Sequence, residues 1–215
     1  MKLSIFLLVV AIIVPVGCAR ARLDRLAASA RPYDAAALDS EVPPAAEPVA
    51  AFEVTDRVEI RTSAGTMVVG LYGKNAPRTV ENFLSYVDSG FYAGKVFHRV
   101  IPGFMIQGGG FSASLDRAET GPSIPLEIIA GLGHGPGTIS MARTNVLDSA
   151  TSQFFICVAE AAQLNGEYAA FGMLEEGFDV ATAISRVPTA TVEADLTAMD
   201  DVPVDAVIIE SVTRL

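Results

Sequence analysis

The chain has 215 residues, about half of them hydrophobic, enough for one domain with a sizeable core and a tail. Its net charge is −10, and residues 1–52 carry five bases and five acids, so the whole excess falls on residues 53–215. Such a surface repels a phosphate backbone, which excludes nucleic acid as a partner.

Lys2 precedes an apolar stretch of fourteen residues, Leu3–Val16. That is the length of a signal-peptide core and short of the roughly 20 residues that cross a bilayer. The stretch ends in Val16-Gly17-Cys18, which resembles the bacterial lipoprotein signal, although Pro15 stands where that motif most often has leucine. Ordinary secretion, with Cys18 discarded, and an uncleaved anchor are the competing readings. Arg20, Arg22 and Arg25 favour cytoplasmic retention of their flank, but the ending weighs more. The expectation is therefore a signal peptide over residues 1–18 and an exported protein. A lipid on Cys18 would hold it to the membrane, facing the periplasm or the cell exterior. Residues 19–52, with Pro43-Pro44 and Pro48, read as an Ala/Pro-rich tether, and the globular domain as residues 53–215.

Val58–Thr62 and Thr66–Tyr72 alternate apolar and polar residues around Ser63-Ala64-Gly65, which predicts a β-hairpin. Pro77 then opens a helix with Val80, Phe83, Leu84 and Val87 on one face, closed by Gly90. Phe91–Ile106 and Gly137–Ala142 read as strands with glycine breaks, and Gln153–Val158 and Tyr168–Met173 as further strands. Val180, Ala183, Ile184 and Val187 predict a second helix, stopped by Pro188, and Val204–Leu215 a final strand apolar enough to be central. Many short strands with two amphipathic helices point to a mainly β protein: a closed antiparallel sheet with a helix over each open end.

The chemistry concentrates in FHRVIPGFMIQGGG (Phe97–Gly110) and SATSQFFI (Ser149–Ile156). These bring one permanent cation, Arg99, and two amides, Gln107 and Gln153, among aromatic and thioether side chains. There is no acid–base pair and no activated nucleophile. Such a set suits binding an apolar group while polarising an amide, rather than breaking a bond.

His98 and His134 lack a carboxylate or cysteine at ligand spacing, so structural roles are expected and no metal. Gly108-Gly109-Gly110 lacks the lysine and hydroxyl residue of a phosphate loop and is expected to let a strand bend. Cys157 reads as a small buried hydrophobe. Asp200-Asp201 and Glu175-Glu176 read as solvated loop charges.

From about Val58 to Leu215, the segments SGFY, FHR, IPGFMIQGG, GPGT, SMA, SQFFI and a closing FG occur in order. In this the chain resembles the cyclophilin family of peptidyl-prolyl cis–trans isomerases, and APRTVENF and SATSQFFI make it similar to the bacterial forms. The resemblance implies an eight-stranded barrel capped by two helices, no cofactor, and a monomer acting on proline-containing peptides and unfolded exported proteins. It implies Arg99 as the catalytic arginine, with Gln107 to orient it. Phe104, Met105, Ala142, Gln153, Phe155 and Leu164 would line the substrate groove, and Tyr168 stands where the family has its pocket histidine.

Two further departures are visible. Arg143 replaces an asparagine, and Gln163 replaces a tryptophan, which removes a ring edge that helps hold cyclosporin, so weak inhibition is expected. The competing function is a proline-peptide binding module in which turnover is incidental.

Overall fold

A computed structural model describes residues 52–194 and 197–215. The expected signal peptide, Cys18 and the tether up to residue 51 lie outside the described residues. Phe52, placed at the end of the tether, packs its ring on Tyr72 with centroids 5.4 Å apart.

β1 (Asp56–Thr62) and β2 (Gly65–Leu71) form the expected hairpin, with Val58 and Ile60 fully buried by the alternation. The Thr62 hydroxyl donates to the Gly65 carbonyl at 2.7 Å and accepts the Ala64 N–H at 3.1 Å, which fixes the turn. α1 (Pro77–Asp88) buries Val80, Phe83, Leu84 and Val87, the face read from the spacing. Its first N–H groups have no local cap. The Glu127 carboxylate accepts instead from the Thr79 N–H at 2.7 Å and from its hydroxyl at 2.8 Å.

β3 (Lys95–Ile101) and β4 (Met105–Ser112) follow, joined by a tight turn through Pro102–Phe104. Then come β5 (Thr138–Met141), β6 (Phe154–Cys157), a 3₁₀ turn (Ala162–Leu164) and β7 (Ala170–Glu176). α2 (Phe178–Ser185) buries Ala181 and Ile184. β8 (Thr189–Ala194), β9 (Thr197–Pro203) and β10 (Ile209–Arg214) complete the chain.

Eight strands form one antiparallel sheet in the order β10-β1-β2-β7-β5-β6-β4-β3. Its ends meet where the Gly94 N–H donates to the Ile209 carbonyl at 2.8 Å and the Phe97 N–H to the Val207 carbonyl at 3.0 Å. The result is a nearly closed barrel with two helices packed on it. Inside, Phe83 from α1 meets Tyr92, Phe154 and Phe171 at 5.2–5.7 Å between ring centroids.

Three details differ from the sequence reading. The strand read from Phe91 begins only at Lys95, while the expected glycine break falls at Gly103, in the turn after Ile101. The final strand begins at Ile209, and its buried residues Ile209 and Val212 stand three apart because its pairing with β1 shifts register at Arg61/Thr62; it lies at the end of the sheet order, so it is not a central strand. Thr189–Pro203, given no element from the sequence beyond the loop reading of Asp200-Asp201, folds into the separate β8–β9 hairpin and packs against β3. Asp200 and Asp201 therefore lie on a strand, and Glu175 is no free loop charge either, since it lies within β7 and pairs with Arg57 at 2.8 Å.

Candidate active site

The register of the antiparallel pairs positions the site. Arg99 on β3 sits opposite Gln107 on β4, Gln107 opposite Phe155 on β6, and Phe155 opposite Ser140 on β5. Residues directly opposite one another share a face, so these four form a row across the outside of the barrel. Met105, two residues before Gln107, joins the same face.

Met105, Phe155, Cys157 and Ala161 form a small hydrophobic cluster of their own, separate from the barrel interior, flanked by Phe104, Ala142, Leu164 and Tyr168. Over it lies a groove of about 300 Å³. Of the residues assigned from the sequence, Arg99, Phe104, Met105, Gln107, Ala142, Phe155, Leu164 and Tyr168 line it.

Gln153 stands behind the wall, where its Oε1 accepts a hydrogen bond from Gln107 Nε2 at 3.0 Å. Room for it comes from Gly110, since a Cβ there would strike the Gln153 side chain. The glycine run thus lies inside β4, where the pairing with β3 shifts register twice, as expected of a strand that must bend.

Aromatic geometry stiffens the floor. Phe155 meets Tyr168 edge to face at 5.6 Å, and His134 stacks on Phe155 at 5.9 Å. His134 is held by Asn165 Oδ1 at 3.0 Å and Ser140 Oγ at 3.1 Å, and burial lowers its pKa, so it supports the ring as a neutral imidazole.

Two residues of the site were not assigned to it from the sequence. Arg143 lines the groove with its guanidinium 4.8 Å from the Tyr168 ring, bonded to the Glu167 carbonyl at 2.8 Å and its carboxylate at 3.0 Å. The substitution of asparagine was visible, but the stacking was not. Asp201, from the unforeseen hairpin, places Oδ2 3.5 Å from Arg99 Nε. The partner of Arg99 is thus Asp201, whereas Gln107 gives its N–H to Gln153.

Cys157 is fully buried, and burial pushes its thiol up to about 12, consistent with an inert packing role. Among the described residues no group of three His, Cys, Asp or Glu could hold a metal ion. A larger hollow of about 540 Å³ lies between α1 and β10. Two of the charges along it are paired, Lys74 with Glu53 and Arg214 with Asp88, both at 2.6 Å.

Residues 57–214 match the family model described as cyclophilin type peptidyl-prolyl cis-trans isomerase/CLD. The chain belongs to the cyclophilin family. It is 49% identical over 150 residues to peptidyl-prolyl cis-trans isomerase A of Dickeya dadantii, covering 67% of this chain and 79% of that one. Isomerase B of Escherichia coli is 43% identical over 164 residues, 73% of this chain and 98% of that one. A crystal structure of a Cryptosporidium parvum cyclophilin type isomerase superposes with a TM-score of 0.64 at 30% identity, covering 74% of this chain and 97% of that one.

The packing of this cyclophilin site can be tested at two positions. In Gly110→Ala the new methyl displaces Gln153 and breaks its bond to Gln107. Urea unfolding should then show a loss of about 1–3 kcal/mol, and peptide KM should rise at least about threefold.

The second position is His98, buried beside Phe111 at 4.6 Å with its Nδ1 unpartnered. Burial, helped by the charges of Arg99 and Arg117, pushes its pKa from 6.5 down to about 4. The unfolded chain therefore takes up this proton first, so stability is full above about pH 6.5 and falls until about pH 4. The loss should approach about 3 kcal/mol. It should appear as the difference between unfolding curves of the native protein and His98→Gln across that window.

Proposed function

We propose that the domain accelerates cis–trans rotation about X–Pro bonds with Arg99 as its catalytic group. The observation that carries this is the cross-strand row, which brings a guanidinium to the edge of an apolar groove floored by Met105 and Phe155.

An X–Pro amide resists rotation by about 18–20 kcal/mol because the C–N bond is conjugated. Half-way round, conjugation is lost and the proline nitrogen regains a lone pair. A donor at that nitrogen stabilises the twisted state and hardly touches the planar one, which is the condition for catalysis. Arginine is well matched to this role, because it stays charged at any working pH and its planar fork can be fixed by neighbours. One preorganised donor is worth roughly 3–4 kcal/mol, or about two to three decades in rate.

The other residues hold the reactants. Phe104, Met105, Phe155 and Leu164 take the pyrrolidine ring and exclude water, which favours the polar conjugated amide. Gln107, with Gln153 behind it, grips the peptide on one side of the bond while the other end turns. A Cryptosporidium parvum relative has been crystallised in the presence of the dipeptide Ala-Pro, which supports a proline dipeptide as the smallest substrate here. Gln163 is exposed on the 3₁₀ turn and does not line the groove, which supports weak binding of cyclosporin.

A direct NMR exchange assay on an Ala-Pro peptide separates enzyme from binding module. Arg99→Ala should lower kcat/KM by two decades or more. The side chain is 44% exposed and its ion pair contributes little to stability, so the thermal midpoint should move by no more than about 3 °C. An unchanged rate would remove Arg99 from the catalytic role, and only a native domain that left the exchange at its spontaneous pace would leave the groove as a peptide-binding module.

Exported proteins are the proposed clients, with the domain held at the membrane by Cys18. The support is the apolar stretch ending in Val16-Gly17-Cys18 and the proline-rich run that follows. Cells fed a palmitate analogue should label the native chain and not Cys18→Ser, which should also leave the membrane fraction; equal labelling of both would remove the anchor.

A further inference from the structure

The β8–β9 hairpin is no part of the barrel, yet it packs on β3, the strand that carries Arg99. Its ladder is irregular at one place. Ala190 pairs with Val202 and Val192 with Met199, so Thr191 alone faces both Asp200 and Asp201. This is a β-bulge, one extra residue on β9, a device that re-aims a side chain and is often found beside active sites.

The bulge is built, not frayed. Thr191 Oγ1 donates to Asp200 Oδ1 at 2.8 Å, and Val202 and Pro203 beyond it are buried. Asp201 itself sits at φ +60°, in the left-handed region that glycine enters freely and other residues at a cost in strain, which is smallest for aspartate and asparagine. Strain of this kind persists where the surrounding structure over-determines it, and it clusters at functional sites. What the irregularity achieves is visible in one distance: Asp201 Oδ2 lies 3.5 Å from Arg99 Nε.

The geometry points to Asp201 as a positioning residue for Arg99: delivered by the bulge, its carboxylate holds the guanidinium at Nε and leaves the two terminal nitrogens free for the substrate. The inference rests on Arg99 being the catalytic donor. Among the described residues Asp201 is the one carboxylate within ion-pair distance of Arg99. Gln107, the neighbour across the ladder, is engaged with Gln153. With the two side chains 44% and 38% exposed, the pair contributes little to stability, so holding the fold is not its use. Aim is a different matter, because a small misplacement of a catalytic group costs far more in rate than in stability.

Asp201→Asn keeps the shape and the tolerance for a left-handed backbone but removes the charge, and Asp201→Gly removes the side chain while relieving φ. Both should fold with a thermal midpoint at or above that of the native chain, or nearly so. In the NMR exchange assay on an Ala-Pro peptide both should lower kcat about three- to tenfold with KM little changed. The Arg99 Nε–H cross-peak should shift in both. In an Arg99→Ala background neither should lower the rate further, since residues acting through one group are not additive. Native or raised kcat in the two variants, or a further loss in that background, overturns the inference. If Arg99→Ala is inactive while the Asp201 variants run at the native rate, only the positioning role fails. If Arg99→Ala itself stays active, the catalytic assignment falls and the positioning role falls with it.

Discussion

Antiparallel register is the constraint from which the site follows. Side chains along a strand alternate between faces, so a slip of one residue in any of the pairs β3–β4, β4–β6 or β5–β6 would turn Arg99, Gln107 or Phe155 into the barrel. The interior already holds the chain neighbours Val100, Ile106, Phe154 and Ile156, all fully or almost fully buried, and has no place for a guanidinium. Burial of those neighbours therefore sets the outward direction of the functional residues. The two register shifts between β3 and β4 are bends within this scheme, placed next to the glycines of β4 that permit them.

The groove is electrically balanced without being inert. Arg99 faces Asp201 and Arg143 faces Glu167, so each guanidinium has one carboxylate on a side away from the apolar floor. Neither His98 nor His134 adds charge at neutral pH, because burial lowers both pKa values. What remains for a bound peptide is hydrogen-bond donation from fixed arginines over a dry surface. That arrangement can twist an amide but offers no nucleophile with which to cleave it.

Much of this was legible from residue order, for identifiable reasons. The face of α1 follows from Val80, Phe83, Leu84 and Val87 because helix period and burial agree there. Five of the eight assigned residues that line the groove, Arg99, Phe104, Met105, Gln107 and Phe155, do so because the two segments that carry them pair across β4 and β6. The β8–β9 hairpin was missed because Thr189–Pro203 does not alternate cleanly: a bulge interrupts its period where two acids fall together, which is the pattern of a loop. With the hairpin went the partner of Arg99, some hundred residues distant in the chain. The stacking of Arg143 on Tyr168 was hidden for a related reason, since only the folded turn after β6 brings the two together.

β6 separates two apolar clusters by the thickness of one sheet: Phe154 and Ile156 belong to the inner one, and Phe155 and Cys157 to the outer. Adjacent positions in the chain thus answer to different selective demands. The inner set must fit a closed interior, whereas the outer set must fit whatever peptide passes over it. Peptide preference can accordingly drift, or be redesigned, by exchanging outer residues one at a time while the scaffold beneath keeps its sequence.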